Sequence, residues 1–462
     1  MCWSLTCRQN STRPVDLSPA LWPEGELEQY TKLNQTYDQS HPLGEGRRGM
    51  VVGTSSALAV RAGVEALKQG GSAADAVMTT ALTQITVGAG AAVSFAGAMV
   101  MIYYDASTGT VHSMNASYDT VRDETDPLSI PPGVPSGRGT LVPGFMAGVA
   151  AAHGRFGTLP FATLFEPSVY FAEEGFEIDT KMASRIEQRQ QVITRFPETK
   201  RIFTKDNGEL YARGDLFKQP ELAKTLRRVS EEGTDYIYRG EWAAKLVEAL
   251  ARQGGKMTLE DLDAYRVIWS EPVRTSYRGY EVYAPGLPSY GGVNTIEALN
   301  VLELADLPSH GHHAASADSL YWLIQISRLP NLLSPPLAGS TVPRELLDRY
   351  FPGIDLAPES RIKKETAALL WKRMQEPGWN ELQRAAAEAR QKEGAALDSL
   401  LKNFKKTVPK KPGHTSAVAA VDEYGNVAAI IHSINSSIWG NTGIFVDGIS
   451  IPDSRFVSAR AH

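Results

Sequence analysis

The 462-residue chain carries 47 basic and 52 acidic side chains, a formal net charge of −5, with 42% hydrophobic and 21% charged residues. That is the profile of a folded, water-soluble chain, long enough for one large α/β unit or two to three ordinary domains. The slight acidic excess and the lack of a basic stripe with interleaved aromatics argue against nucleic acid or an anionic membrane as a partner.

Cys2 and Cys7 are the only cysteines, too few and too close together to staple a large core. The opening residues lack a basic stretch followed by a long apolar run, and no window reaches 18 uninterrupted apolar residues. Neither a signal peptide nor a membrane span is expected, and the expected compartment is the cytoplasm. Residues 1–48 read as a polar leader wrapping the surface.

Met50–Gly53 reads as a short strand and Ala57–Gln69 as an amphipathic helix stopped by Gly70-Gly71. Ser72 is placed to cap the next helix. Ala73–Thr83 is rich in small apolar side chains, which let a helix lie close against a sheet, so it is expected to be buried. Ala98–Tyr104 and Thr110–Met114 flank Asp105–Gly109 as a hairpin. A helix follows the Pro143-Gly144 break, and helical patterns dominate to about residue 270.

Arg278–Ala284 is a strand candidate leading through Pro288-Ser289-Tyr290-Gly291-Gly292 into the helix Val293–Leu304. Residues 330–345, with four prolines, read as a loop or linker. The charged, Ala-rich stretch 360–405 reads as a solvated surface helix pair. Lys405, Lys406, Lys410 and Lys411 then surround Pro409 and Pro412, the mark of an exposed linker, which is open to cleavage. Beyond it, Ser416–Val421 and Val427–His432 form a hairpin about Asp422–Asn426.

Thr415 opens a strand directly after that linker. A hydroxyl residue so placed suits catalysis by a new N-terminus: once the chain is cut before it, the free α-amine acts as base for its own hydroxyl. Nucleophile and base then come from one residue, and no His or Asp partner is required. Taken alone, a Thr at a strand start is far more often only a strand former. The one histidine cluster, His310-Gly311-His312-His313, lacks metal-ligand spacing and nearby Cys or carboxylate, so it reads as a solvated loop. No metal or organic cofactor is implied.

From about Gly49 to Phe456 these motifs, in this order, resemble the gamma-glutamyltranspeptidases. Gly70–Asp75, Pro143–Gly148, Pro288–Gly292 and the Asp-x-x-Gly-Asn hairpin leading to Ile434-Asn435-Ser436-Ser437 carry the resemblance. It implies an α/β (α+β) fold, the four-layer αββα sandwich of N-terminal-nucleophile hydrolases, incomplete here at the C-terminal side. It implies a large-subunit-like region 49–414 and the start of a small-subunit-like region 415–462. It also implies self-cleavage at His414–Thr415, Thr415 as nucleophile, and gamma-glutamyl transfer or hydrolysis through an acyl-enzyme.

By the same register Ser433 takes the place of a Thr that positions the nucleophile. Asn435 and Ser437 fall in the substrate-binding segment, and Asp447 and Asp453 are both candidates for an acidic substrate contact. Ser117 stands where the family reads the glutamyl carboxylate with an Arg. Serine cannot make that charge-assisted fork; Arg122 could substitute if its loop were rearranged. Only roughly 48 residues follow Thr415, fewer than a segment needs for a substantial core of its own. The expectation is a truncated chain, a second polypeptide completing the sandwich, or a degenerate protein. Three readings stay open: an enzyme acting on glutathione-like small-molecule amides, a relative acting on another acyl group, and a non-catalytic paralogue.

Overall fold

The computed structural model describes residues 14–36, 46, 48–126, 129–130, 135–333, 344–386, 388 and 415–454. The strands that matter to the site are β1 (Met50–Gly53), β2 (Ala98–Asp105), β3 (Thr110–Ala116), β4 (Ile268–Ser270), the hairpin β5 (Val273–Tyr277) and β6 (Tyr280–Ala284), β7 (Thr415–Val421) and β8 (Val427–Ser433). Six of them form one sheet in the order β1-β7-β8-β2-β3-β4. Every pairing is antiparallel. The late-sequence hairpin β7–β8 thus lies in the middle of the sheet, between two strands from the first quarter of the chain.

After α1 (Glu26–Thr36), one face of this sheet is covered by α2 (Ala57–Lys68), α3 (Ala73–Val87) and α4 (Phe145–Phe156). All fifteen residues of α3 are buried, as its small side chains lead one to expect. Gly63 of α2 allows the close approach, since a Cβ there would lie 2.0 Å from Thr80 Oγ1. The predicted cap is present as a capping box between Ser72 and Asp75. Asp75 also accepts the main-chain N–H groups of Thr158 (2.8 Å) and Leu159 (3.2 Å), tying α3 to the segment after α4. Asp422 in the β7–β8 turn accepts the N–H of Ala73 at 3.0 Å, which locks the hairpin to the start of α3.

The strands obey the two-residue alternation. Ser416, Val418, Ala420, Ala428, Ile430 and His432 point at α3 and are buried. Their neighbours Ala417, Ala419, Ala429 and Ile431, with Val52 and Val100, point the other way. On that second face, β5–β6 and the helix α5 (Tyr290–Ala305) lie over the β3–β4 side, anchored by Gly286 N–H to Ser113 Oγ at 3.0 Å. The second main sheet of a four-layer sandwich is not among the described residues; they supply one helical layer and one sheet of it.

Three expectations are corrected. Residues 360–386 are not a solvated helix pair. Ala367, Leu370 and Met374 on α7 (Lys364–Met374), with Trp379, Leu382 and Ala386, are buried against α5 and α6 (Ala317–Leu333). Residues 387 and 389–405 lie outside the described residues. The loop or linker expected from residue 330 is helical as far as Leu333, because α6 runs through Pro330 and Leu329, Leu332 and Leu333 pack into the same cluster; residues 334–343 lie outside the described residues. The strand expected from Arg278 starts at Tyr280, since Arg278 (φ 52°) and Gly279 (φ 87°) form the two-residue turn of the β5–β6 hairpin.

Within the stretch 1–48, the described residues 14–36 include one firm anchor. Leu17 is fully buried in the main core, and its N–H donates to the Glu166 carboxylate. Burial pushes that carboxyl up to about 7, against the opposing pull of the Leu17 N–H. Among the described residues no helix is long and apolar enough to cross a membrane.

Candidate active site

Thr415 is the first residue of β7 and is exposed; Ser433 is the last of β8 and is buried. The register pairs them directly, and Ser433 pairs in turn with Ala98 of β2. Their side chains share the sheet face that α3 does not cover. Thr415 Oγ1 donates to Ser433 Oγ at 3.3 Å. Ser433 Oγ also accepts the N–H of Asn435 at 3.0 Å, so the second hydroxyl is itself held in place.

The first turn of β7 is clamped from β1's side. Thr54 donates its N–H to the Ala417 carbonyl at 3.0 Å, and its Oγ1 accepts the Ala417 N–H at 2.9 Å. Ser55 Oγ and Ser416 Oγ lie 3.3 Å apart. Behind them, Gln84 of α3 donates to the Ser55 carbonyl at 3.0 Å, which orients its amide so that Oε1 accepts from His432 Nε2 at 2.8 Å. Thr415 therefore emerges from a rigid strand end rather than from a loop.

Beyond Ser433 the chain turns sharply, with Asn435 at φ 47° and exposed. Asp453 organises this turn: it accepts from Ser436 Oγ (2.7 Å), Asn441 N–H (2.9 Å) and Asn441 Nδ2 (3.0 Å). Tyr118 OH and Ser454 Oγ both donate to the Ile434 carbonyl, at 3.2 and 2.7 Å. Burial pushes the Tyr118 phenol far above its ordinary value, so it stays protonated as a donor. Ser437 contributes its carbonyl to Gly440 N–H. Of the two acidic candidates, Asp453 lies against the Asn435–Ser437 segment, whereas Asp447 pairs with Lys245 at 2.8 Å.

Ser117 follows β3 directly, where the β2–β3 register carries it to the same end of the sheet as Ser433. Its N–H donates to Asn115 Oδ1 at 2.9 Å and its carbonyl accepts from Tyr265 OH at 2.6 Å. Asn115 Nδ2 in turn donates to Ser289 Oγ at 2.8 Å, just before α5. Arg122 is directed elsewhere: its side chain is 61% exposed, with Nε 3.8 Å from Asp261 Oδ1. Thr415, Ser433 and Asn435 are thus joined in one hydrogen-bonded group, with Asp453 bracing the turn beyond them and Ser117 at the same sheet end. His414 lies outside the described residues.

Sequence reasoning did not find the Thr54–Ala417 clamp, the Gln84–His432 pair or the Asn115–Ser289 contact. These join residues far apart in the chain, and no local spacing announces them. His432 offers a direct check on how tightly this region is packed. Burial pushes its imidazole down to about 3, so it is neutral in the folded protein. The unfolded chain takes up a proton near the ordinary histidine value, about 6.5. Stability from this group is therefore fully present above that value and falls as pH drops towards 3, by about 1.4 kcal/mol per pH unit. Urea unfolding between pH 4 and 8 should show that slope, and His432→Gln should reduce it by one proton.

The fold is shared with a solved cephalosporin acylase from Bacillus halodurans, which superposes with a TM-score of 0.65 at 23% identity, over 91% of this chain and 73% of that one. The architecture places the protein in the N-terminal-nucleophile hydrolase fold class. The gamma-glutamyltranspeptidase sequence profile matches residues 59–450, and the chain belongs to that family. It is similar to the glutathione hydrolase proenzymes of Escherichia coli (30% identity over 287 residues) and Bacillus subtilis strain 168 (27% over 443). These matches take in 61% and 91% of this chain. The chain spans about half, 49%, of the E. coli relative and 69% of the B. subtilis one.

Proposed function

We propose that the protein is a self-processing amidohydrolase or acyltransferase that uses Thr415 as nucleophile and takes gamma-glutamyl amides of the glutathione type as substrates. The observation that carries this reading is the Thr415–Ser433 hydroxyl pair at the matched ends of two central strands.

In self-processing, Thr415 Oγ1 attacks the carbonyl carbon of His414. The peptide C–N bond breaks as the C–O ester forms, and the hydroxyl proton passes to the departing amine. Water then hydrolyses the ester, releasing the His414 carboxylate and regenerating the hydroxyl. The liberated α-amine becomes the base for later turnovers, in which the same oxygen accepts the acyl group from a substrate amide. Ser433 holds the threonine hydroxyl in line, Asn435 and Ser437 line the substrate side, and Asp453 fixes their turn. Cleavage at this one bond parts the large-subunit-like region, which ends at His414, from the small-subunit-like region that begins at Thr415.

On a denaturing gel the protein should give two bands, the smaller with the N-terminal sequence Thr-Ser-Ala-Val. A single band identical to that of Thr415→Ala would rule the reading out. Ser433→Ala should slow cleavage about 10²-fold, the low end of what a positioned proton-handling group contributes; a time course of band conversion measures it.

A second reading is favoured by the Ser117 and Arg122 placements: an enzyme of this chemistry acting on a different acyl group. Ser117 offers no cation for a glutamyl carboxylate, and Arg122 engages Asp261. Comparison of a chromogenic gamma-glutamyl anilide with simple acyl anilides separates the two. Equal rates would eliminate the glutathione reading.

A further inference from the structure

The turn that follows Ser433 is built on backbone that its residues do not favour. Asn435 (φ 47°), Trp439 (φ 57°) and Gly440 (φ 68°) all lie in the left-handed region. For a residue as bulky as tryptophan that conformation is costly and persists only where neighbouring groups hold it. Trp439 is fully buried, its main-chain N–H donating to the Ala91 carbonyl at 2.8 Å and its Nε1–H to the Ala89 carbonyl at 2.7 Å. The carbonyls on either side of it, those of Ile438 and Gly440, both accept from one side chain, Arg189. Its Nε reaches the Ile438 oxygen at 3.0 Å and its Nη2 donates to the Gly440 oxygen. Nη2 also donates to Asn441 Oδ1 at 3.1 Å.

Arg189 comes 249 residues before Ile438, where the helix Thr180–Gln188 ends. Its main chain is fixed as well: its N–H donates to the Arg185 carbonyl, and its own carbonyl accepts the N–H groups of Val192 and Ile193. The residue is buried, and among the described residues its side-chain acceptors are two carbonyls and an amide oxygen, none of them charged. A guanidinium taken out of water on those terms is a costly way to fill space. Asn441 connects it to the site. Its amide accepts from Arg189 and donates from Nδ2 to Asp453 Oδ2 at 3.0 Å, while Asp453 Oδ1 accepts from Ser436 Oγ at 2.7 Å. Cation and carboxylate are thus joined through one amide, and the Asp453 charge opposes the downward push that burial exerts on the Arg189 guanidinium. Arg195 Nη1 takes the Thr442 carbonyl at 2.9 Å and Thr199 Oγ1 that of Gly443 at 2.7 Å. One stretch of helices therefore grips the segment from Ile438 to Gly443.

We propose that Arg189 is a positioning residue for the substrate side of the site: through Asn441 and Asp453 it sets the Asn435–Ser437 turn against the Thr415–Ser433 pair. For turnover this rests on the Thr415 reading; the clamp on the turn does not. Arg189 touches no reacting atom. Thr415 and Ser433 are aligned by the pairing of β7 with β8, in which Arg189 has no part, so self-cleavage does not depend on it. The placement of Asn435 and Ser437 against a substrate does. Loss of the clamp weakens substrate binding rather than the attack.

The test uses the full chain and two variants. Arg189→Met keeps an apolar stem and removes every donor; Asn441→Ala, at a half-buried position, leaves the two carbonyl contacts and cuts only the link to Asp453. Hydrogen–deuterium exchange across residues 434–443 should be at least about 10-fold faster in Arg189→Met, with α3 and the β7–β8 hairpin protected as in wild type. With the chromogenic gamma-glutamyl and acyl anilides as probes, KM should rise about 10-fold while kcat stays within about threefold, and band conversion on denaturing gels should keep its wild-type rate. Asn441→Ala should give the same split in smaller measure. Arg189→Lys should recover only part of the loss, because an ammonium cannot span both carbonyls as the planar fork does. Unchanged exchange at 434–443 overturns the inference. So does protection lost throughout the chain in both variants, or a fall in kcat with KM unchanged. A wild type that neither cleaves itself nor hydrolyses either anilide removes the Thr415 reading instead, and the exchange measurement then decides the clamp.

Discussion

If Thr415 is the nucleophile as proposed, Thr415→Ala will leave the polypeptide in one piece and lower amide hydrolysis by at least about 10³-fold, because it would delete the attacking oxygen rather than one of its supports. Thr415→Ser tests the same point from the other side. It keeps an oxygen and, after cleavage, an α-amine on the same residue, and should cleave detectably but more slowly. The threonine methyl group restricts the side-chain rotamer, and a serine at the end of β7 has more freedom to leave the line of Ser433 Oγ. Band conversion on denaturing gels and release of a chromogenic anilide are independent measures of the two steps. An alanine variant that still splits at this bond, or a wild type whose turnover is unaffected by the substitution, would refute the assignment.

The largest effect on stability is expected at Arg361. Its guanidinium and the Glu297 carboxylate are both fully buried and form a two-pronged pair, Nε to Oε1 at 2.8 Å and Nη2 to Oε2 at 2.7 Å. Nη2 also donates to Asn294 Oδ1 at 2.8 Å. Burial drives the Glu297 carboxyl upward and the arginine pulls it back. Arg361→Ala strands a carboxylate inside the α5–α6–α7 cluster and should cost about 3–5 kcal/mol. The double variant Arg361→Met with Glu297→Leu should recover most of that loss, since an apolar pair removes the uncompensated charge. Urea unfolding followed by tryptophan fluorescence measures both, with Trp371 and Trp379 as reporters in or against the cluster.

What could be read from the sequence was what local chemistry announces. The Ser72 cap, the helix rich in small side chains after it, and the β7–β8 hairpin with its Asp422–Asn426 turn are specified by residues a few positions apart, and the structure has each of them. The cluster around α7 was misjudged because its alanines and charges read as a solvated surface. Its signal was nonetheless present in the spacing of Ala367, Leu370 and Met374, a helical stripe. The site divides the same way. Thr415 and Ser433 come within reach through a hairpin whose register follows from its turn. The Ser55–Ser416 and Gln84–His432 contacts bridge 361 and 348 residues, and only the folded sheet brings them together. That Asp453 rather than Asp447 faces the Asn435 turn is likewise visible only in the folded chain.

The central position of β7 has a bearing on what a cut at its first residue does. The strand is zipped on one edge to β1 and on the other to β8, and its hairpin is fastened to the head of α3 through Asp422. Severing the backbone there frees an amine but liberates no fragment. The two products should travel as a single particle through any native separation, and part only when the sheet itself is melted.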